Sequence, residues 1–364
     1  MATGTDAGHD LRTGPGATAS GSRARRVRVV EVIDETADAR SFVVAPDSEH
    51  SASFEYKPGQ FLTIRVPDVG TGSARCYSLS SSPHSDATMK ITVKRVEGGH
   101  GSNWLCDTVS AGDELEVLPP AGTFTPHSLD ESAVLVAGGS GITPVIAIAK
   151  SILCGGGGEV VLIYANRDQG AVIFAQELRS LEERFGDRFA VVHILESIQG
   201  YPTRRTLAML LRPLADRAVY ICGPAPLMDL TVDVCAEVGF PVSQVHSERF
   251  LSLRRDPFAI ESAPVGDDAS PPGEIVCNVR ISLDGAEYQV PWASEQKLLD
   301  ALLAAGVDAP YSCREGACSA CVCSLRSGQV RLARNEILSE DDLADGYILA
   351  CQAEPDSAEI SIEY

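Results

Sequence analysis

The chain is poor in several things at once. Within its 364 residues no apolar run reaches the roughly 18 residues that a membrane-spanning helix needs. The N-terminus has no apolar core of the kind that marks a secretory signal. Basic residues are few: 30 Lys and Arg face 50 Asp and Glu, for a net charge of −20. That balance argues against nucleic acid as a partner and favours a positively charged protein surface. The eleven cysteines show no disulfide-framework spacing. With the missing signal, this places the chain in a reducing cytoplasm. The seven histidines (His9, His50, His84, His100, His127, His193 and His246) are dispersed, and none has metal-ligand spacing with another His or Cys. There are no internal repeats.

What is present is a concentrated cysteine motif. Cys313, Cys318 and Cys321 follow a C-x4-C-x2-C spacing, and Cys351 comes 30 residues later. This is the ligand spacing of plant-type [2Fe–2S] sites, whose potential lies near about −400 mV. Gly316, Ala317, Ser319 and Ala320 between the ligands are small, so the backbone can approach and aim N–H groups at the sulfurs. Structural zinc asks for two close ligand pairs, whereas here one tight pair stands with two single cysteines. Cys323, two residues past Cys321, is read as core because the ligand count is complete without it. The segment from Glu274 to Tyr364 holds 16 acidic and 6 basic residues, half of the excess negative charge. An acidic face for docking and plain solubility both account for that excess.

Periodicity divides the chain. Residues 1–24 are rich in Gly, Ala, Ser and Thr and read as a disordered tail. Residues 25–126 hold short strands with turn signals, the pattern of a β-barrel or sandwich. Residues 127–255 alternate apolar strands with helices, the pattern of a parallel α/β sheet. Helices are expected over Ile142–Lys150, Ile173–Phe185 and Leu227–Val238. Residues 256–273 read as a linker. Residues 274–364 begin with a hairpin turning at Asp284-Gly285 and carry the cysteine motif.

Three further stretches have ligand-binding chemistry. In an extended Arg75-x-Tyr77-Ser78-Leu79, alternate residues share a face; Arg suits a phosphate and Tyr a stacked ring. Gly101 and Ser102 lie in a turn before a helix, where exposed N–H groups suit a pyrophosphate; an ordinary turn with an N-cap at Ser102 explains the same residues. Gly139, Ser140, Gly141, Thr143 and Pro144 follow a buried strand and open a helix. That is a dinucleotide position, although the stretch is not a strict G-x-G-x-x-G. Cys222, Gly223 and Pro224 end another apolar strand, and Asn166 and Arg167 end a third. Arg167 is suited to an adenosine ribose or a 2′-phosphate.

Together these motifs resemble the ferredoxin–NADP⁺ reductase superfamily with a plant-type ferredoxin fused at the C-terminus, as in the reductases of multicomponent oxygenases. Within it, the stretches around Arg75–His84, Ser102–Asp107 and Leu118–Pro126 look like the reductases of 3-ketosteroid 9α-hydroxylase systems, with phenylacetyl-CoA epoxidase reductases as relatives. The resemblance implies an antiparallel β-barrel flavin domain, an α/β parallel-sheet nicotinamide domain and an α+β β-grasp ferredoxin domain. It implies FAD rather than FMN, NADH with NADPH possible, and a [2Fe–2S] cluster on Cys313, Cys318, Cys321 and Cys351. Arg75, Tyr77, Ser78 and Leu79 would meet the flavin, with Thr92, Val93 and Lys94 along its ribityl and adenosine side. Gly101 and Ser102 would complete the pyrophosphate cradle. Gly139, Ser140, Gly141, Thr143, Pro144, Arg167, Gly223 and Pro224 would shape the nicotinamide dinucleotide site. Ser78, Cys222, Glu248 and Phe250 would stand at the reacting centre. The chain lacks a Rieske Cys-x-His pair and an evident haem site. Oxygen activation is therefore expected on a separate terminal oxygenase, with no membrane or nucleic acid involved. A reductase for another oxygenase, or an electron carrier that has lost flavin turnover, are the alternatives.

Overall fold

The computed structural model describes residues 23–67, 73–250, 253, 257–258, 274–283, 285–338 and 340–364. The expected tail up to residue 22, most of the expected linker, and Asp284 of the hairpin turn lie outside the described residues.

Strands β1 (Arg25–Thr36), β2 (Ala39–Pro46), β3 (Phe61–Val66), β4 (Ser73–Ser78), β5 (Met89–Lys94) and β6 (Glu114–Ala121) form one antiparallel sheet in the order β4-β3-β6-β1-β2-β5. A bridge from Leu79, just past β4, to Ile91 on β5 brings the two edges together, so the sheet curls into a barrel. Inward residues such as Phe42, Leu62, Ile64 and Ile91 fill it, as strand alternation requires. Helix α1 (His100–Thr108) caps the barrel through Leu105 and Cys106.

The next region is parallel. Strands β7 (Ala133–Gly138), β8 (Val160–Asn166), β9 (Phe189–Leu195), β10 (Ala218–Cys222) and β11 (Val245–Glu248) pair in the order β11-β10-β7-β8-β9. Helices α2 (Ile142–Gly155) and α3 (Ala175–Phe185) cover one face. The short α4 (Glu196–Gln199) follows β9, and α5 (Arg204–Leu211) and α6 (Ala225–Val238) cover the other face. Chain order reverses between β7 and β10, so a crevice lies beyond their C-terminal ends, where open α/β sheets bind ligands.

The C-terminal region contains β12 (Ile275–Leu283), β13 (Ala286–Ala293), α7 (Leu298–Ala304), β14 (Val322–Ser327), β15 (Val330–Leu332), α8 (Glu340–Ala344), β16 (Tyr347–Leu349), β17 (Ala353–Pro355) and β18 (Glu359–Glu363). The mixed sheet β13-β12-β18-β14-β16 has parallel β12 and β18 at its centre and packs on α7, a β-grasp. Trp292 is its largest fully buried side chain.

Local details depart from the sequence reading where tertiary contacts decide. Helix α2 runs on to Gly155, because residues 142–153 are all buried. Ile173 and Phe174 precede α3, with Phe174 left-handed at φ 62°. Helix α6 starts at Ala225, directly after Pro224. The N-cap of α1 is Gly99; Ser102 sits inside the first turn, and its Oγ accepts from the Val96 N–H at 3.1 Å.

Candidate functional site

The barrel contributes a two-sided strand. On β4, Arg75 and Tyr77 face the start of α1: a Cβ on Gly101 would lie 2.9 Å from Arg75 Cγ and 3.4 Å from the Tyr77 hydroxyl. Only glycine fits there, so Arg75, Tyr77 and the first turn of α1 form one cradle. The N–H groups of that first turn and the Arg75 guanidinium suit a diphosphate. Arg75 Nη1 donates to the Ala74 carbonyl at 2.7 Å. Leu79 is fully buried in the barrel core, so it offers a cofactor only its backbone.

Thr92 and Val93 on β5 are both buried, on opposite faces of the strand. Thr92 Oγ1 lies 2.7 Å from both Ser41 Oγ and Ser80 Oγ, and Val93 packs in the core. Lys94 shares a face of the strand with Thr92 and reaches toward the parallel sheet. Its Nζ is 3.6 Å from Asp38 Oδ2, which also accepts from Arg167 Nη2 at 3.0 Å. Asp38, which the sequence reading missed, thus ties Lys94 to Arg167; against the opposing effect of burial, a hydrogen bond from Thr36 Oγ1 at 2.8 Å and then the two cations hold its carboxyl below the ordinary range.

The crevice beyond β7 and β10 is lined by glycines with two different jobs. A Cβ on Gly141 would fall 2.1 Å from the Cys222 carbonyl oxygen, and one on Gly138 2.7 Å from Pro224 and Leu227. These glycines let the β7–α2 turn press onto Cys222-Gly223-Pro224. Gly139 differs: φ is +52° and its nearest neighbour would be Lys94 Nζ at 3.8 Å. It leaves its side of the turn open for a ligand. Thr143 Oγ1 donates to the Ser140 carbonyl at 3.1 Å, and Thr143 and Pro144 are buried; they shape the turn from within. Tyr164 donates to the Gly139 carbonyl at 3.0 Å. Beside it, Asn166 is 7% exposed, and neither end of its amide has a hydrogen-bond partner. An orphaned amide at the ligand end of β8 fits a site completed by a bound dinucleotide.

Cys222 and Glu248 are register partners at the ends of β10 and β11. Burial raises the Cys222 thiol well above its ordinary value, with the nearby Glu248 carboxylate adding to the rise. Glu248 Oε2 is out of solvent with no partner. Burial pushes this carboxyl up from 4.5 to about 8, so it is protonated at neutral pH. Phe250 follows β11 and is 48% exposed.

The cysteine motif converges as its spacing implied. Cys313 is in hydrogen-bonding contact with Cys318 and Cys351, and Cys351 also with Cys321. These contacts hold Cys313 toward the thiolate and raise Cys318 and Cys351. The N–H groups of Glu315 and Ala317 donate to Cys313 Sγ at 3.3 and 3.4 Å, and that of Cys313 to Cys318 Sγ at 3.2 Å. Arg314, Gly316 and Ser319 are left-handed, which coils the loop so that its amides face the sulfurs. A Cβ on Gly316 would meet Gln352 at 2.9 Å and the Arg334 carbonyl at 3.0 Å. Among the described residues no three His, Cys, Asp or Glu side chains form a single-ion site. A two-iron cluster instead needs two thiolate pairs with N–H donors to sulfur, and these residues fit it. Cys323 is buried on β14 in the domain core.

Three family models match the chain in succession. They are an oxidoreductase FAD-binding domain over residues 26–125, an oxidoreductase NAD-binding domain over 135–233 and a 2Fe-2S iron-sulfur cluster binding domain over 281–356. Among solved structures, phthalate dioxygenase reductase aligns over 94% of this chain and 98% of its own, with a TM-score of 0.55 and 27% identity. The ferredoxin reductase component of 3-ketosteroid-9-alpha-monooxygenase from Rhodococcus rhodochrous is 49% identical over 94% of this chain and 98% of its own length. One component of the 1,2-phenylacetyl-CoA epoxidase of Escherichia coli strain K12 is 30% identical over 92% of this chain and 96% of its own. FAD, NAD and [2Fe–2S] modules in one chain define a flavin- and iron–sulfur-dependent oxidoreductase of the oxygenase-reductase class. The chain belongs to the family of ferredoxin reductase components of 3-ketosteroid-9-alpha-monooxygenases. A reductase component of this kind works with NADH and a separate oxygenase protein. No helix among the described residues is long and apolar enough to cross a membrane.

Proposed function

We propose that this chain takes electrons from NADH and passes them, through FAD and its [2Fe–2S] cluster, to a separate terminal oxygenase that hydroxylates a 3-ketosteroid. The observation that carries the reading is a convergence. Glu248 pairs in register with Cys222 at the nicotinamide edge, and Cys76 of the strand that bears the flavin motif lies 3.8 Å from Ser312 of the cluster loop. The 49% identity to the Rhodococcus rhodochrous reductase component supports the steroid system over the epoxidase system, at 30%.

When bound, the flavin accepts a hydride from the nicotinamide and releases its electrons singly, and the cluster accepts one at a time. The residues supply binding and orientation. In this reading Arg75, Gly101 and Ser102 hold the flavin diphosphate, and Tyr77 and Ser78 flank its ring system. Leu79, Thr92 and Val93 contribute backbone, and Lys94 contributes its ammonium. Gly139, Ser140, Gly141, Thr143, Pro144, Gly223 and Pro224 form the dinucleotide turn, and Arg167 stands at its adenosine end. Cys222 and Phe250 bracket the nicotinamide. Glu248 holds a proton at the cleft and leaves no full charge there to oppose hydride movement. Cys313, Cys318, Cys321 and Cys351 ligate the cluster. The three larger sheets support functional units over residues 25–126, 127–255 and 274–364. The seven cysteines outside the cluster set, none of them in a disulfide, support a cytoplasmic location, and the net charge of −20 supports a protein partner rather than nucleic acid or an anionic membrane.

The test is reconstitution. Mixed with NADH and the terminal oxygenase of a 3-ketosteroid 9α-hydroxylase, the chain should support formation of 9α-hydroxysteroid. Steady hydroxylation by the chain alone, or turnover with a phenylacetyl-CoA epoxidase component but not with the steroid oxygenase, would contradict the proposal.

A further inference from the structure

The cluster loop lies on the outside of the barrel, on the back of the strand that carries the flavin motif. Thr63 on β3 and Cys76 on β4 are register partners, and both face Ser312, the residue before ligand Cys313. Thr63 Oγ1 and Ser312 Oγ are 2.6 Å apart, buried, and 249 residues apart in the chain. Cys76 Sγ lies 3.8 Å from the same Ser312 oxygen and 3.5 Å from Thr63.

The surroundings are apolar and small. Ala74 and Leu118 of the barrel pack with Cys313 and Ala317, and Phe61 and Ala121 pack with Ala320. Such a surface is smooth and by itself permits many registers. A buried hydroxyl pair permits one, since a slip strands both hydroxyls at about 1–3 kcal/mol each. Strand alternation fixes the geometry further. Arg75 and Tyr77 face α1 and the proposed diphosphate cradle, while Ala74 and Cys76 face the cluster loop. One strand thickness separates the two.

Resting on the electron route proposed above, we infer that Ser312 is a positioning residue. Its hydroxyl, held by Thr63 and Cys76, seats the cluster loop on β4, and this seat is the position in which the cluster is loaded with electrons.

A crosslink and a conservative variant test the seat by different readouts. Ser312→Cys places a second thiol beside Cys76, within disulfide reach. Mild oxidation of the holoprotein should join residues 76 and 312, as read by peptide mapping, and NADH should still bleach the cluster of the locked protein at no less than the unlocked rate. Absence of a 76–312 crosslink, or a locked protein whose cluster NADH no longer reduces, would overturn the inference. Thr63→Val lies in the barrel and touches no ligand. It should keep the cluster spectrum and the rate of flavin bleaching by NADH, while cluster bleaching slows at least tenfold in rapid mixing. An unchanged cluster rate would equally overturn it. Because crosslinking needs no electron transfer, a seat that locks in a protein whose flavin NADH cannot reduce would refute the electron route rather than the seat.

Discussion

The barrel meets its two neighbours through seams of opposite character. Toward the parallel sheet the seam is charged. Lys150, 3% exposed in the middle of the apolar helix α2, lies 2.8 Å from both Asp86 of the barrel and Glu177 of α3. Lys90 reaches Glu177 at 3.2 Å, Ser82 bonds Ser151 at 2.7 Å, and Asp38 joins Lys94 to Arg167. Toward the ferredoxin domain the seam is alanine, leucine and phenylalanine around one hydroxyl pair. A charged contact lies at the rim, where Arg23 pairs with Asp308 at 3.0 Å and donates to the Ala309 carbonyl. Opening the first seam separates Lys150 from the two carboxylates that pair with it. Opening the second exposes small apolar groups and two hydroxyls that water satisfies. The difference suits the two tasks: hydride transfer demands a fixed pair of sites, whereas a cluster that must serve an outside protein benefits from a seat that it can leave.

The hardest blow to this contrast is at Lys150. Lys150→Met leaves Asp86 without its cation and Glu177 with Lys90 alone, and should cost about 3 kcal/mol in urea unfolding, as removal of one partner from a buried charge set does. A loss within experimental error would mean that the seam is not held by its charges. Thr63→Val, across the other seam, should cost only about 1 kcal/mol, the net value of one hydrogen bond.

Where the seams meet, Glu248 gives a pH signature. Its folded value is raised from 4.5 to about 8. The stability it contributes is therefore full below pH 4.5 and is lost as pH rises toward about 8, because the unfolded chain ionises first. Glu248→Gln should remove this loss. In denaturant titrations the variant should gain on the parent steadily across that window and hold its gain above it. Parallel profiles for the two proteins would place the charged form of Glu248 in the cleft. The smallest effect is expected at Asp38→Asn. Arg167 is 66% exposed, so its half of the pairing should be worth under about 1 kcal/mol and screened by salt. A larger, salt-independent loss would move the Asp38 cluster into the class of Lys150.

Legibility in the sequence tracked how local each feature is. The four cluster ligands were readable because three lie within nine residues and the loop's own backbone brings them together. The β7–α2 turn was readable as a dinucleotide position, but the division of labour among its glycines was not. Gly138 and Gly141 answer to Cys222-Gly223-Pro224 more than eighty residues away, and only Gly139 faces open space. The motif Arg75-x-Tyr77-Ser78-Leu79 announced a strand without revealing that Leu79 turns into the core or that Cys76 faces a different domain. One signal was available and missed: a single lysine inside Ile146-Ala147-Ile148-Ala149-Lys150-Ser151-Ile152-Leu153. A charge on an otherwise apolar helix demands buried partners, and that requirement alone points to a seam.

The central claim is the route from NADH to the cluster. Anaerobic titration of the purified holoprotein with NADH, followed by absorbance at the flavin and cluster bands, tests it most directly. Both bands should bleach as NADH is added. A flavin that bleaches while the cluster stays oxidised, or a protein in which neither band responds, would contradict it.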